Sequence, residues 1–346
     1  MSLPTTLRQY FYPQLGSFNN LVLKSVSVNP PKSHEVLVKT RAVSLQFRDL
    51  MIASGTYGGE LRPNLVPCSD MAGEIIAVGD EVKDWKKGDR VCANFFPDKL
   101  HAGMTGAIAE TALGGPIDGV LTEYRNFPAH SLVAIPDHLS YEEASTLPCA
   151  ALTAYNALLC GSDPLKAGDT VLVLGTGGVS IFALQFAIAS GATVIATSSS
   201  DQKLKVATKL GAKHVINYKT TPEWSKEVLK ATNGLGVDHI IEVGGNSTVQ
   251  QSMPALKVGG SINFVGGLGG AAPPVDTVSW SVRRALKSRG IRVGSVAQFE
   301  SMIKLLIANP ETTRPIIDKV FAFDEAKAAF GYFQSQAHVG KVVIKL

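Results

Sequence analysis

The stretch VLVLGTGGVS, residues 171–180, constrains this 346-residue chain more than any other. TVLVLG (170–175) is a short apolar run of the kind buried on both faces of a parallel sheet. The glycines after it open a helix, VSIFALQFAIAS (179–190), which stops at Gly191. A strand that turns through glycines into a helix is the setting in which a dinucleotide pyrophosphate is held. Gly175 permits the tight turn, and Gly177 lets the backbone approach the phosphates, whose charge the helix N-terminus favours. The usual third glycine, which lets helix and strand pack closely, is Ser180 here, and a small serine can substitute. Gly175, Thr176, Gly177, Gly178 and Val179 are therefore candidate cofactor-binding residues. The competing reading is a tight turn with no ligand; the units that follow weigh against it.

Those units repeat strand, turn and helix. TVIAT (193–197) leads to a helix ending at Leu210, with Gly211 as its stop. HVINY (214–218) leads to Thr221-Pro222, a cap and first-turn pair for a helix over 222–231. VDHIIEV (237–243), a helix over 247–257, SINFVG (261–266) and a sixth strand in GIRVGS (290–295) complete the series. Such alternation predicts an α/β fold with a doubly wound parallel sheet. Residues 1–130 have another texture, with short alternating runs such as EVLVKTRAVSL (35–45) and turns such as KKGDRV (86–91). They predict a β-rich module. The C-terminal strand GKVVIKL (340–346) is expected to return to it. The predicted division is 1–131 with 295–346 for the β-rich domain, and 132–294 for the dinucleotide-binding domain.

Composition narrows the partners. The chain is 45% hydrophobic and 18% charged, with a net charge of +4 and no block of like charge. A nucleic-acid partner is not expected. No apolar stretch approaches the length of a membrane span, and MSLPTTLRQYFYP lacks the basic and apolar segments of a secretory signal. The expectation is a cytoplasmic protein acting on a small molecule. Cys68, Cys92, Cys149 and Cys160 show no paired spacing, so neither a disulfide framework nor a CxxC zinc site is expected.

The end of the second strand selects between dinucleotides. An acid there accepts hydrogen bonds from a ribose 2′-hydroxyl, and it would repel a 2′-phosphate. VIATSSSDQKL (194–204) instead presents Ser198, Ser199 and Ser200, with Lys203 close behind. Tyr218 ends the next strand and can reach the same corner. These residues point to NADP(H), with Asp201 read as a first-turn helix residue. The competing reading makes the serines helix caps and Lys203 a solvated side chain.

Seven segments in one order carry a family likeness: AVSLQFRDLMIASGTYGG (42–59), VPCSDMAGEIIAVGDEV (66–82), GDRV (88–91), TLPCAALTAYNAL (146–158), VLVLGTGGVS (171–180), DHIIEVGG (238–245) and HVGKVVIKL (338–346). Along nearly its full length the chain resembles the medium-chain dehydrogenases/reductases. The resemblance implies a split, β-rich (GroES-like) catalytic domain around a Rossmann domain, with cofactor and substrate in the cleft between them, and a homodimer. Where zinc-dependent relatives place Cys, His and Cys around a catalytic zinc, the matching positions are Gln46, Ser69 and Cys149. Glutamine and serine are poor zinc ligands, so a metal-free protein is expected. The likeness then runs to zinc-free quinone and enone reductases. It implies NADPH-dependent reduction of the activated C=C bond of α,β-unsaturated carbonyls, with hydride delivered to the β-carbon, and reduction of quinones as well. The competing readings are a zinc-free alcohol or carbonyl dehydrogenase and a non-catalytic, NADPH-binding structural protein.

The same resemblance proposes roles. Tyr57, in SGTYGG, and Gln46 are candidate donors to an enolate oxygen, with Ser69 as a further catalytic candidate. Arg48 and Asp49 are expected to pair and brace that loop. Thr153 is expected near the nicotinamide ribose, and Val243 and Gly244 beside the cofactor. Gly266, Gly267, Leu268, Gly294 and Ser295 end later strands, where ligands of open α/β sheets bind. Lys341 is a further cofactor candidate, with a solvated lysine as its plainer reading. Phe95, Phe96 and Trp280 are candidates to line an apolar pocket.

Overall fold

The alternation beyond residue 165 folds as six parallel strands. In this computed structural model, which describes residues 4–267 and 272–346, they are Thr170–Leu174, Thr193–Ser198, His214–Asn217, Val237–Glu242, Leu256–Phe264 and Lys287–Gly290. Numbered along the chain, they lie in the order 3-2-1-4-5-6. The first strand thus has the second on one side and the fourth on the other. Ile195, Leu172, Ile240 and Ile262 come from four neighbouring strands and share one core with Trp224, Val249 and Met253 from helices. The helix Gly178–Ala189 is buried from Ser180 to Ala187, which explains an apolar surface that runs all the way round it.

Three boundaries differ from expectation. The sixth strand is Lys287–Gly290, not 290–295. Its residues KSRG are largely exposed at the sheet edge, where alternation of apolar residues is not required. The apolar Ile291 and Val293 lie beyond it, and Val293 has φ 51, which no strand can contain. The third helix begins at Trp224, after Glu223, and the Thr221 amide bonds instead to the Asn217 carbonyl. The fourth helix, Asn246–Ala255, ends just past Pro254, and the fifth strand starts at once at Leu256. That strand is paired on both sides, so it is not the sheet edge available to a second subunit.

The β-rich part is a seven-stranded sheet. Its path runs through Ile317–Ala322, Lys341–Lys345, Glu35–Ser44, Asp70–Val78, Arg90–Ala93 and Leu132–Ala134, and Tyr124–Pro128 also pairs with Glu35–Ser44. The C-terminal strand therefore sits inside the sheet, parallel to Ile317–Ala322 and antiparallel to Glu35–Ser44. A separate hairpin joins Thr6–Phe11 to Val22–Ser27. Val38, Val43, Ile75, Val91, Phe127 and Ile344 belong to the core of this part.

By contacts the chain divides into two units: Met1–Leu152, Gly294–Ala308 and Arg314–Leu346 in one, Thr153–Val293 and Asn309–Thr313 in the other. The texture of the sequence changes near 131, whereas the contacts change over at Leu152, where the helix Leu152–Leu159 begins. Among the described residues no helix is long and apolar enough to cross a membrane.

Candidate functional site

The strand order places the C-terminal ends of Thr170–Leu174 and Val237–Glu242 side by side where chain order reverses, the point at which open α/β sheets bind ligands. Gly175 has φ 76, a conformation glycine adopts at no steric cost. A Cβ built on Gly175 or Gly177 would meet nothing within 4 Å, so the turn faces open space. Gly177 caps the helix Gly178–Ala189, which carries no acid in its first turn. The serine in the third fingerprint position is 2% exposed, and its Oγ donates to the Leu174 carbonyl at 2.7 Å. The hydroxyl thus satisfies itself at the close helix–strand contact that a glycine would otherwise make.

The loops after the fourth and fifth strands lie against each other, since a Cβ on Gly245 would stand 2.9 Å from the Gly267 Cα. Val243, Gly244, Gly266 and Gly267 are therefore brought together, while Leu268 lies outside the described residues. The organiser of this corner is a residue the sequence reading passed over. Glu242 is fully buried at the end of its strand. Its Oε1 accepts from Gly244 N (2.8 Å), Gly245 N (3.1 Å) and Thr248 Oγ1 (2.5 Å), and its Oε2 from Ser252 Oγ (2.5 Å). Burial pushes the Glu242 carboxyl above the usual range, against the pull of these donors.

At the end of the second strand, the Ser198 carbonyl accepts from Tyr218 N at 3.0 Å, which joins two of the residues expected there. Ser200 stands at the cap of the helix Asp201–Lys209 without a side-chain cap bond, so the capping reading of the serines does not describe it. Lys203 is the third residue of that helix. Asp201 is occupied, its Oδ1 accepting from Asn217 Nδ2 at 2.8 Å. An open glycine turn at a helix start, with hydroxyls in place of a strand-end acid, fits a dinucleotide. Thr153, 3% exposed, is the second residue of the helix Leu152–Leu159.

Gly294, Ser295 and Lys341 belong to the β-rich unit. A Cβ on Gly294 would strike the Leu152 side chain at 2.6 Å, so this glycine serves close packing. Ser295 caps the next helix, its Oγ accepting from Gln298 N at 3.2 Å. Lys341 is not solvated: it is 2% exposed and its Nζ donates to the Leu45 carbonyl. Burial lowers its pKa, opposed chiefly by the Asp70 charge.

Within the β-rich unit, Gln46, Ser69 and Cys149 do converge, and what they converge on is Asp70. This carboxylate is fully buried. Its Oδ1 accepts from Ser69 Oγ at 2.6 Å, and its Oδ2 from Gln46 Nε2 at 2.6 Å and Cys149 N at 2.9 Å. Burial raises Asp70 to about 6, against Lys341 and these three donors. Asp49 does not pair with Arg48 as expected. It turns back to cap its own helix, Oδ2 accepting from Gln46 N at 2.7 Å, and burial raises it to about 7. Arg48 instead lies between two rings, its guanidinium carbon 4.9 Å from the centroid of Tyr57 and 4.9 Å from that of Phe95, with Nη1 on the Leu113 carbonyl at 2.8 Å. Tyr57 is thus held by its ring face, with its hydroxyl outside every hydrogen bond among the described residues. Phe95 and Phe96 are buried edge to face at 4.6 Å. Trp280 packs on the parallel-sheet core, with Arg283 and Arg284 over its ring.

These donors do not fit a zinc ion. An amide, a hydroxyl and one thiol are not the two thiolates and imidazole that hold zinc in the alcohol dehydrogenases. Among the described residues no group of three His, Cys, Asp or Glu side chains is placed to hold a metal.

Two family models match the chain, "Zinc-binding dehydrogenase" over residues 178–308 and "Alcohol dehydrogenase GroES-like domain" over 32–137. A zinc-type alcohol dehydrogenase-like protein of Schizosaccharomyces pombe is 46% identical over 98% of this chain and 99% of its own length. A quinone oxidoreductase of Lama guanicoe is 30% identical, with 96% of each chain covered. A solved structure from Sinorhizobium meliloti 1021, provisionally named an alcohol dehydrogenase, superposes with a TM-score of 0.90 at 36% identity over 100% of both chains.

Proposed function

Because the chain belongs to the medium-chain dehydrogenase/reductase family of oxidoreductases, we propose that it is a metal-free, NADPH-dependent reductase of activated C=C bonds in α,β-unsaturated carbonyls, acting also on quinones. The observation that carries the reading is the set Gln46, Ser69 and Cys149 gathered on Asp70 in place of a metal-binding set. Carbonyl polarisation then rests on hydrogen bonds. They suit an acceptor whose charge spreads onto a conjugated oxygen. The name of the quinone oxidoreductase relative agrees with a conjugated acceptor.

In this reading Gly175, Thr176, Gly177, Gly178 and Val179 hold the pyrophosphate, and Ser198, Ser199, Ser200, Lys203 and Tyr218 take the 2′-phosphate. When bound, the nicotinamide supplies hydride. Tyr57 and the second amide N–H of Gln46 donate to the substrate oxygen. Ser69 has a different task from the one its residue type suggests. Its single proton lies on Asp70, so toward a substrate it offers lone pairs. The chain works as a cytoplasmic homodimer, which sedimentation of the purified protein tests.

The deciding experiment follows NADPH and NADH consumption at 340 nm with a vinyl ketone, a 2-alkenal, a quinone and a saturated aldehyde, with products identified by gas chromatography. Saturated ketone from the vinyl ketone, preference for NADPH and indifference to EDTA are expected. Turnover of the saturated aldehyde alone, or loss of activity with chelator, sinks the reading. NADPH binding with no turnover of any compound returns the chain to a binding role.

A further inference from the structure

We propose that a cavity on the far strands of the parallel sheet binds a small oxyanion, inorganic phosphate or the phosphate group of a monoester. The cavity, about 170 Å³, is lined by Ser162, Asp163, Ser261, Asn263, Lys287 and Arg289, among others. It has room for a tetrahedral anion and some of its water. The pairing of the last two strands builds it. Ser261 stands opposite Lys287 and Asn263 opposite Arg289, so alternation puts all four side chains on one face. These are positions where a covered sheet ordinarily carries apolar residues.

Charge at the cavity favours an anion. Among the described residues Asp163 is the one acid in its lining, and it already meets Lys287 at 2.8 Å, Lys166 at 4.0 Å and the Ser261 hydroxyl at 2.9 Å. Arg289 adds a further cation, held by the Cys160 carbonyl at 2.5 Å and Asn156 Oδ1 at 3.0 Å. Of the other acids nearby, Asp238 pairs with Lys257, while Asp169 lies 3.4 Å from His239, whose imidazole burial favours in its neutral form; Lys287, Lys166, Lys257 and Arg289 face three acids. The neighbourhood is net positive.

Asn263 is the second, independent observation. It is 2% exposed, and its Nδ2 has no hydrogen-bond partner among the described residues. A buried amide left unmatched is destabilising, and a leucine of similar volume at the same strand position avoids that cost. A chain that carries this cost at a cavity wall has a use for the amide, and an acceptor-rich anion is the ligand that uses it.

The test is calorimetric titration of the full-length protein with inorganic phosphate, and with glycerol phosphate as a monoester. The variants are Asn263→Leu, Lys287→Ala and, as a control for the separate 2′-phosphate corner, Lys203→Ala. At least tenfold weaker binding is expected in the first two variants and none of that loss in Lys203→Ala. Tighter binding of the ester than of phosphate identifies an esterified ligand; equal binding identifies the free anion. Asn263→Leu should unfold at or above the wild-type temperature. Wild type that binds neither probe, or Asn263→Leu and Lys287→Ala that bind as wild type does, overturns the site. So does a fall of several degrees in Asn263→Leu, which makes the amide structural.

Discussion

Asp49 lies under the helix it caps, with one oxygen on the Gln46 amide and Oδ1 buried without a partner among the described residues. Its folded pKa is raised to about 7, and that of Asp70 to about 6, both chiefly by burial. An acid raised on folding binds more protons in the native state than in the unfolded one. Its stabilising contribution is therefore complete below the unfolded value, near 4, and is lost as pH rises through the folded value. Asp49→Asn keeps an acceptor for Gln46 N and removes the titration. Its melting temperature should exceed wild type by a few degrees at pH 8 and converge with it near pH 4. A constant offset across that range would show that charge at Asp49 is not the cost. Val293 carries a different penalty. A β-branched residue at φ 51 is strained, by about 1–2 kcal/mol. Val293→Gly relieves that strain while leaving the carbonyl that Asn156 Nδ2 reaches at 2.5 Å. Val293 is only 8% exposed, so the variant also loses about 1.5–3 kcal/mol of apolar burial and incurs glycine's own entropy, and chemical denaturation should show it destabilised by about 1 kcal/mol. Stabilisation would mean that the backbone strain outweighs the burial of the valine.

At the scale of the element, two glycines separate cofactor geometry from fold geometry. Gly177 has φ −76 and open space where a Cβ would go. Gly236 has φ 87, and its Cβ would lie 2.6 Å from the Leu256 carbonyl carbon. Gly177→Val should leave the melting temperature unchanged and weaken NADPH binding at least tenfold by fluorescence titration. Gly236→Val should unfold the sheet unit. A Gly177→Val protein that binds NADPH normally would remove the turn from the cofactor site. The first, second and fourth parallel strands were legible because each is a covered apolar run, the third, an edge strand with only Ile216 buried, by its place in the alternation, and the glycine turn because its residues are local. The sixth strand was not, since KSRG pairs by backbone at an exposed edge and carries no periodicity. Gln46, Ser69 and Cys149 were legible as a set. The carboxylate that gathers them was not: Asp70, like Glu242, reads in sequence as an ordinary acid at a strand end, and only tertiary contacts show it buried amid donors. Lys341 looked solvated for the same reason in reverse.

At the scale of the whole molecule, the two units have separate hydrophobic cores, and different residues couple each to solution conditions. Asp49 and Asp70 lie in the unit with the seven-stranded sheet, whereas the glycine turn, the serine corner and Glu242 lie in the unit with the parallel sheet. A ligand that binds only the native state stabilises by about 2.7 kcal/mol at a hundred times its dissociation constant. That gain falls on the opening reactions of the segments the ligand touches. Amide exchange should therefore slow most at 175–179, 198–200 and 243–245 when NADPH is added, by about a hundredfold at that ratio. On the proposed assignment, NADH at the same concentration should protect 175–179 with little effect at 198–200, because it lacks the phosphate assigned to the serines and Lys203. Raising pH from 5 to 8 should instead lower protection, relative to the base-catalysed intrinsic rate, around 45–50 and 69–71, where the raised carboxyls become charged. Equal protection by the two dinucleotides at 198–200 would refute the NADPH assignment without touching the fold. Protection confined to the opposite ends of the parallel strands would refute the site itself, because the order 3-2-1-4-5-6 opens its crevice only at the carboxyl ends.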